Sequence, residues 1–299
     1  MRIFLVKLGV FLMIIAGGDF IIGSCMDYIL ANTVKGDYGR NNYISLQSHQ
    51  SCLIFGSSRA IHHYNPDTIA HALNMSCYNC GEDGMGIITM FGRYLMIRQR
   101  YVPKLIIYDV VSGFDIEKDD RSKYIGWLRY FTKNERIAEL IEQVDETEKF
   151  KTIAQSYKYN SRFVDIIIQF MSKNPQTSEN YKYAPLTGVI NYDVKENHFN
   201  NVTVDNLKLS LFKKMIQQCK NDGTKFIVVL SPEYKAINDS NYLPIINLCN
   251  QYQIPVLNHY KDKDINFNSK LFKDASHLNI EGVKIFNKKI CIELHQVFK

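Results

Sequence analysis

Two stretches carry residue types that can work together as a nucleophile and its base. The first is Cys52-Leu-Ile-Phe-Gly-Ser-Ser-Arg-Ala-Ile-His-His-Tyr-Asn-Pro66. Four apolar residues end abruptly at Gly56, two hydroxyls follow, and the next residues can open a helix. A strand that delivers a serine to a strand-to-helix turn leaves its Oγ at the carboxyl edge of a sheet, beside the free N–H groups of that helix. Gly56 removes the Cβ that would crowd so sharp a turn. A plain turn capped by hydroxyls reads the same way from this stretch alone. The second stretch is Phe272-Lys-Asp-Ala-Ser-His-Leu-Asn-Ile-Glu-Gly282. Asp274 and His277 stand three apart, just before an amphipathic run to the end of the chain. A nucleophilic serine needs such a pair, an imidazole to take its proton and a carboxylate to fix the imidazole's tautomer. Asp-x-x-His is common by chance. Its order after a strand-ending Gly-Ser-Ser, and before the last helix, makes the combination more specific.

The elements that must hold these residues follow from the hydrophobic pattern. Strands are expected at 52–55, 75–79, 104–111, 225–230 and 254–258, with helices at 87–100, 204–221, 242–251 and 280–297. Alternation of strand and helix is the signature of a parallel sheet. Five strands suit an α/β, flavodoxin-like three-layer sandwich, which binds ligands at the carboxyl ends of its strands. Pro103 ends the 87–100 helix, and Asn221-Asp-Gly223 stops the 204–221 helix. Between about 116 and 203 the pattern breaks into a charged, helix-prone stretch with amphipathic runs at 134–143 and 161–171. It is too long for a loop and reads as a helical insertion or lid. Trp127, Tyr157, Tyr159, Tyr181 and Tyr183 give it aromatic capacity, either to stack on sugar rings or to pack the insertion on the sheet.

With these blocks in place, the sequence resembles the SGNH, or GDSL-type, hydrolase superfamily from about Cys52 onward. Gly56-Ser57-Ser58 stands where that family has Gly-Asp-Ser, which implies Ser58 as nucleophile. Asn79-Cys-Gly-Glu-Asp-Gly84 matches its second block and implies the Gly84 N–H as an oxyanion donor. Asp274 and His277 match its last block. The third block departs: the family expects Gly-x-Asn-Asp, and here Asp109-Val-Val-Ser-Gly-Phe-Asp115 has no asparagine. Ser112 is the candidate replacement. Loss of one oxyanion donor typically costs about 100- to 1,000-fold, whereas loss of the triad costs on the order of a million-fold. The departure therefore points to slower or altered chemistry rather than none. The Gly-Ser-Ser variant with an N-terminal membrane segment is similar to the branch that serves cell-envelope polymers. That branch implies a polysaccharide substrate and a membrane-bound acyltransferase as candidate partner.

Residues 3–23 are almost wholly apolar, interrupted by Lys7 and Asp19. About 21 helical residues at about 1.5 Å each span roughly the 30 Å hydrocarbon layer. Arg2 and Lys7 precede the apolar core and the next basic residue is Lys35, so the positive-inside rule leaves the N-terminus in the cytoplasm and the rest outside. A signal anchor over 1–24 is the expected form. Cleavage near Ala16–Ser24 and a lipoprotein box at Ile22-Gly-Ser-Cys25 are the alternatives. Residues 25–50 read as a juxtamembrane connector, and 51–299 as the hydrolase-like domain. The net charge of +6 is spread along the chain without a basic cluster interleaved with aromatics, which argues against nucleic acid. Seven cysteines form no paired framework, and Cys77-x-x-Cys80 lacks a second pair for zinc. No metal or other cofactor is implied.

Four residues are candidates for the substrate side. His62 stands four residues after Ser58 on the same helical face. Arg59 could meet an acidic sugar or phosphate, or form a structural ion pair. Glu233 and Tyr234 follow the fourth strand at the same sheet edge. The expectation is a membrane-anchored serine esterase or O-acyltransferase, acting outside the cytoplasm on an exported or envelope polysaccharide. The rivals are a non-catalytic glycan-binding or assembly protein on the same fold, and a thioesterase or lipase.

Overall fold

The computed structural model describes residues 1–118, 121–172, 183–194 and 203–298, so the expectation for Tyr181 lies outside the described residues. Two long helices come first, α1 (Arg2–Ala31) and α2 (Gly36–Leu46). Strand β1 (Cys52–Gly56) leads into α3 (Ser58–His63) and α4 (Pro66–Leu73). Then follow β2 (Cys77–Asn79), α5 (Ile87–Ile97), β3 (Leu105–Asp109) and α6 (Ser112–Asp115). A 3-10 stretch (Ser122–Tyr130) precedes α7 (Glu135–Val144), α8 (Glu148–Lys151) and α9 (Phe163–Met171), with a 3-10 turn (Ser156–Tyr159) before α9. The last part runs α10 (Asn206–Asp222), β4 (Lys225–Leu230), α11 (Leu243–Gln251), β5 (Val256–Asn258) and α12 (Ile280–Phe298).

The chain forms two compact units, one of Met1–Gln47 with Tyr124–Tyr181 and one of Ser48–Lys123 with Lys182–Lys299. The second, the sheet unit, holds five strands in the order β2-β1-β3-β4-β5. Every neighbouring pair is parallel. Strands β1 and β3 are buried along their whole length, as expected of a parallel sheet covered on both faces. Cys52, Ile54, Leu105, Ile107, Ile227 and Val229 form one core face, together with Ile69 of α4 and Val283, Phe286 and Ile290 of α12. On the other face the Tyr108 ring meets Phe212 of α10 at 4.9 Å and Phe226 at 6.0 Å. Helices on both sides of a five-stranded parallel sheet make this an α/β three-layer fold.

The first unit is helical. Its helix α1 is long and apolar enough to cross a membrane. The helix runs eight residues past Gly23, because Met26 and Leu30 are buried with Tyr159 and Ile166. The stretch expected as a polar connector carries α2, where the buried Asn42 side chain donates to the carbonyls of Leu30 and Thr33. Trp127 and Tyr159 are buried in this unit, so they pack rather than present stacking surfaces.

Candidate active site

The site begins with the end of β1. Gly56 has φ +138°, and a Cβ there would lie 2.4 Å from the carbonyl oxygen of Asp109 on the neighbouring strand. Only glycine tolerates both demands. The turn then places Ser58 as the first residue of α3, where its N–H is one of the orphan donors of a helix start. Asn79, at the end of β2, holds the far end of that short helix. Its amide donates to the carbonyls of Ala60 and Tyr64 and accepts from Gly81 N–H. The Glu82 N–H donates to the Gly56 carbonyl at 3.1 Å, which seats the loop bearing Gly84 against the end of β1. Gly84 itself has φ +68°, with nothing within 4 Å of where a Cβ would stand.

Across the gap, the loop before α12 supplies the other two groups. Nε2 of His277 lies 2.8 Å from Ser58 Oγ, and its Nδ1 lies 2.9 and 3.0 Å from the two Asp274 oxygens. An ionised carboxylate only accepts, so Nδ1 carries the proton and Nε2 is left to accept from the serine hydroxyl. Asp274 also accepts from the backbone N–H groups of Ser276 and His277, both at 2.9 Å. One carboxylate thus shapes the loop and sets the tautomer. Burial alone would raise its pKa. The His277 ring and the two N–H groups outweigh that and hold it below the usual carboxylate range. Asp274 and His277 are partly exposed, at 37% and 22%, so the site is open to a substrate.

His62 and His63 sit behind and beside this line. The His63 Nε2 accepts from Leu278 N–H at 3.0 Å, and Nδ1 faces Ser231 Oγ at 3.2 Å. Complete burial, and then the nearby His277 and Arg59, push its pKa well below the ordinary value and keep it neutral. His62 has its Nδ1 2.6 Å from the Ala184 carbonyl and its Nε2 3.1 Å from Asp83. Burial would lower its pKa, but those two acceptors win and raise it. Its ring lies 5.5 Å from that of His277, so it borders the site.

Four of the expected site residues have partners within the protein instead of a substrate-facing position. Arg59 does not face a substrate: it is 2% exposed. One step along a helix from Ser58 turns its side chain inward, where it donates to Tyr242 at 2.7 Å, to the Val110 carbonyl at 2.9 Å and to Glu233 at 3.3 Å. Its Nε lies 3.8 Å from Asp109, a charge contact too long for a hydrogen bond. Glu233 is therefore spent on Arg59. Ser112 donates to Glu117 at 2.8 Å and is buried, so its hydroxyl is not an oxyanion donor. The stretch 109–115 begins with the buried Asp109, which pairs with Gly56 in register and accepts from Tyr64. Burial raises the Asp109 pKa. Tyr234 packs its ring on Phe272 at 5.3 Å, and its N–H donates to Ala275, so it braces the Asp274–His277 loop.

Sequence reasoning did not single out Tyr192, whose hydroxyl accepts from Ala275 N–H at 3.3 Å. No motif marks it. The supporting role of His63 had a signal in the His62-His63 doublet. Cys77 and Cys80 are buried free thiols. Among the described residues no group of three or more His, Cys, Asp or Glu is arranged to hold a metal.

No protein-family model and no curated protein matches the sequence. Solved structures are similar in chain trace. One, from Bacteroides fragilis NCTC 9343 and provisionally described as an acylhydrolase, has 11% identity and a TM-score of 0.39 over 83% of this chain and 88% of its own. A second, from Desulfitobacterium hafniense DCB-2 and provisionally described as a lipolytic protein of the G-D-S-L family, has 9% identity and a TM-score of 0.41 over 81% and 98%. A third, an acetyl xylan esterase, has 11% identity and a TM-score of 0.38 over 81% and 99%.

Proposed function

We propose that the protein is a serine-dependent acyl-ester hydrolase or O-acyltransferase, held on a membrane by α1 and acting on an acylated polysaccharide outside the cytoplasm. The observation that carries this reading is the unbroken chain from Ser58 Oγ through His277 to Asp274. In the first step His277 Nε2 takes the hydroxyl proton while Oγ forms a bond to the acyl carbonyl carbon, and the carbonyl electrons move to oxygen. The Ser58 and Gly84 N–H groups hold that oxyanion. Collapse expels the sugar oxygen, which receives the proton from His277 and leaves an acyl-Ser58. In the second half, water or another sugar hydroxyl gives its proton to His277 and attacks the acyl carbon. Ser58 Oγ then leaves and is reprotonated. Water as acceptor yields deacylation, and a sugar hydroxyl yields transfer.

Support for the membrane and the outward orientation comes from the apolar span of α1 and from Arg2 and Lys7 at its start. The motif resemblance supports the polysaccharide and a membrane-bound acyl-donor partner. The direct test is hydrolysis of 4-nitrophenyl acetate by the detergent-solubilised full chain, with labelling by a fluorophosphonate. The expected result is label on Ser58 and a loss on the order of a million-fold in kcat for Ser58→Ala. Label on another residue, or equal turnover by the variant, would sink the assignment. Ordered folding with neither label nor turnover would favour the non-catalytic glycan-binding reading.

A further inference from the structure

The helical unit exposes more large apolar side chains than its own packing explains, and they lie where α1 leaves its apolar run. The marker is Asp19. Its carboxylate accepts from the backbone N–H of Gln155 at 2.6 Å, from the N–H of Ser156 at 3.0 Å and from the Ser156 hydroxyl. One turn further, a Cβ on Gly23 would stand 2.5 Å from Gln155 Cβ, so helix and loop touch nearly backbone to backbone. Asp19 is not the end of the apolar surface. Phe20, Ile21 and Ile22 follow it with 63%, 63% and 50% of their surface exposed. A bilayer that covers them reaches about 4.5 Å past Asp19 along the helix axis. The carboxylate and the segment that caps it then sit at the depth of the acyl chains. A polar group there must be satisfied from within the protein, and Asp19 is, by three donors.

The capping segment is itself built for that depth. Ile153, two residues before Gln155, is 75% exposed, and Phe150 is 65% exposed with the Lys149 ammonium 5.1 Å from its ring centre. A bare aromatic flanked by lysines is the pattern of an interfacial anchor, apolar body in lipid and charge at the headgroups. Higher on α1, at Met26 and Leu30, α9 packs through Ile166 and Phe163. Those contacts stand about 6 to 12 Å beyond Ile22, the level of the headgroup layer. Helix α9 buries only Ile166 and exposes Val164, Ile167, Ile168, Phe170 and Met171 along one continuous arc.

We propose that the helical unit is a second membrane attachment: residues 150–156 enter the edge of the acyl-chain layer and α9 lies in the headgroup layer of the same leaflet. The occupant of the exposed apolar face is lipid, by continuity with the exposed face of α1. The inference rests on the reading of α1 as a membrane span. The unit would then not hang from a single helix but be seated on the bilayer at a fixed height.

The test uses the full chain in vesicles of phosphatidylcholine and phosphatidylglycerol, with Cys25→Ser as background. A polarity-sensitive fluorophore is attached in turn to Ile153→Cys, Ile168→Cys, Glu139→Cys and Phe11→Cys. Lipids carry a spin-label quencher on the headgroup, high on the acyl chain or deep in it. The expected pattern is loss of most emission at 153 with the high acyl label, loss at 168 with the headgroup label, and no loss at 139, on the exposed polar face of α7. Phe11→Cys reports on the span itself through the deep label. Quenching at 11 but not at 153 or 168 would overturn the proposal and leave the anchor standing, with the apolar face then free for a protein partner. No quenching at 11 would remove the anchor reading, and the proposal with it.

Discussion

Ser58 and Arg59 are consecutive in sequence and stand at the start of the same short helix, yet each organises a different kind of charge cluster. The Ser58 cluster is half open. Its members meet end to end through hydrogen bonds, and Asp274 and His277 keep contact with solvent. The Arg59 cluster is sealed. A guanidinium at 2% exposure is enclosed by Asp109, Glu233, Tyr242 and the Val110 and Ser231 carbonyls. Burial disfavours its charge, but Tyr242, Asp109 and Glu233 more than repay it and raise its pKa. The difference teaches that the first cluster is hydrogen-bonded in a line open to solvent and the second is enclosed around one fixed cation. The sealed cluster ties three sheet-edge segments to the helix that carries the nucleophile.

Variants can break each cluster separately. After loss of Ser58 itself, Asp274→Asn should be the next most damaging to turnover, because the amide offers the wrong partner to Nδ1. The expected loss is about 10,000-fold in kcat, roughly 5.5 kcal/mol of barrier, at nearly unchanged thermal stability. Stability lost in step with activity would mean that Asp274 serves the loop more than the imidazole. Arg59→Met should do the reverse. It removes the cation beside the buried Asp109 and should cost about 3 to 5 kcal/mol in chemical denaturation, with activity falling only as the folded fraction falls. A stable variant with a selectively raised KM would put Arg59 back on the substrate side.

The boundary between the clusters can be sharpened through His63, which touches both. Its pKa in the folded protein lies well below the ordinary 6.5. The unfolded chain therefore takes up a proton that the folded one refuses, and stability falls as pH drops below about 6.5. His63→Gln keeps an acceptor for Leu278 N–H and should flatten this slope, by at most about 1.4 kcal/mol per pH unit. An unchanged slope in thermal melts would assign the acid sensitivity to another group. The smallest effect is expected from Ser57→Ala. The Ser57 Oγ is fully buried and has no hydrogen-bond partner among the described residues. Its removal should leave turnover intact and stabilise the fold by up to about 1 kcal/mol. A loss of activity there would mean that the nucleophile is one residue earlier.

The five-stranded parallel sheet and the meeting of Ser58, His277 and Asp274 at its edge were legible in the sequence because their causes are local. Apolar runs, a glycine at a strand end and a carboxylate three residues before an imidazole all declare themselves within a few positions. The misses came where a hydrogen bond or ion pair that no motif announces decides, whether a few residues away or far along the chain. β2 starts at Cys77 rather than 75, since Asn74 takes a left-handed conformation and Met75 N–H turns back to the Ala70 carbonyl. β5 starts at Val256 rather than 254, since Ile254 N–H is drawn to Cys249 at the end of α11. Of the two readings of Arg59 the structural ion pair holds, but its partners were hidden because Asp109, Glu233 and Tyr242 lie far along the chain. Ser112 looked free only because the turn that brings Glu117 to it is not written in any motif.

The position before the serines has a consequence for heredity. Every single-base change in a glycine codon that substitutes another residue introduces a Cβ, and at position 56 any Cβ meets the Asp109 carbonyl at 2.4 Å with φ at +138°. No one-step mutational neighbour keeps this turn intact. Substitutions at Ser57, or at Arg59 with compensation, are therefore expected to be tolerated more readily than any at Gly56, whose codon is free to change only at its silent third base. A descendant that has abandoned catalysis should still carry the glycine, as a fossil of the turn rather than of the reaction.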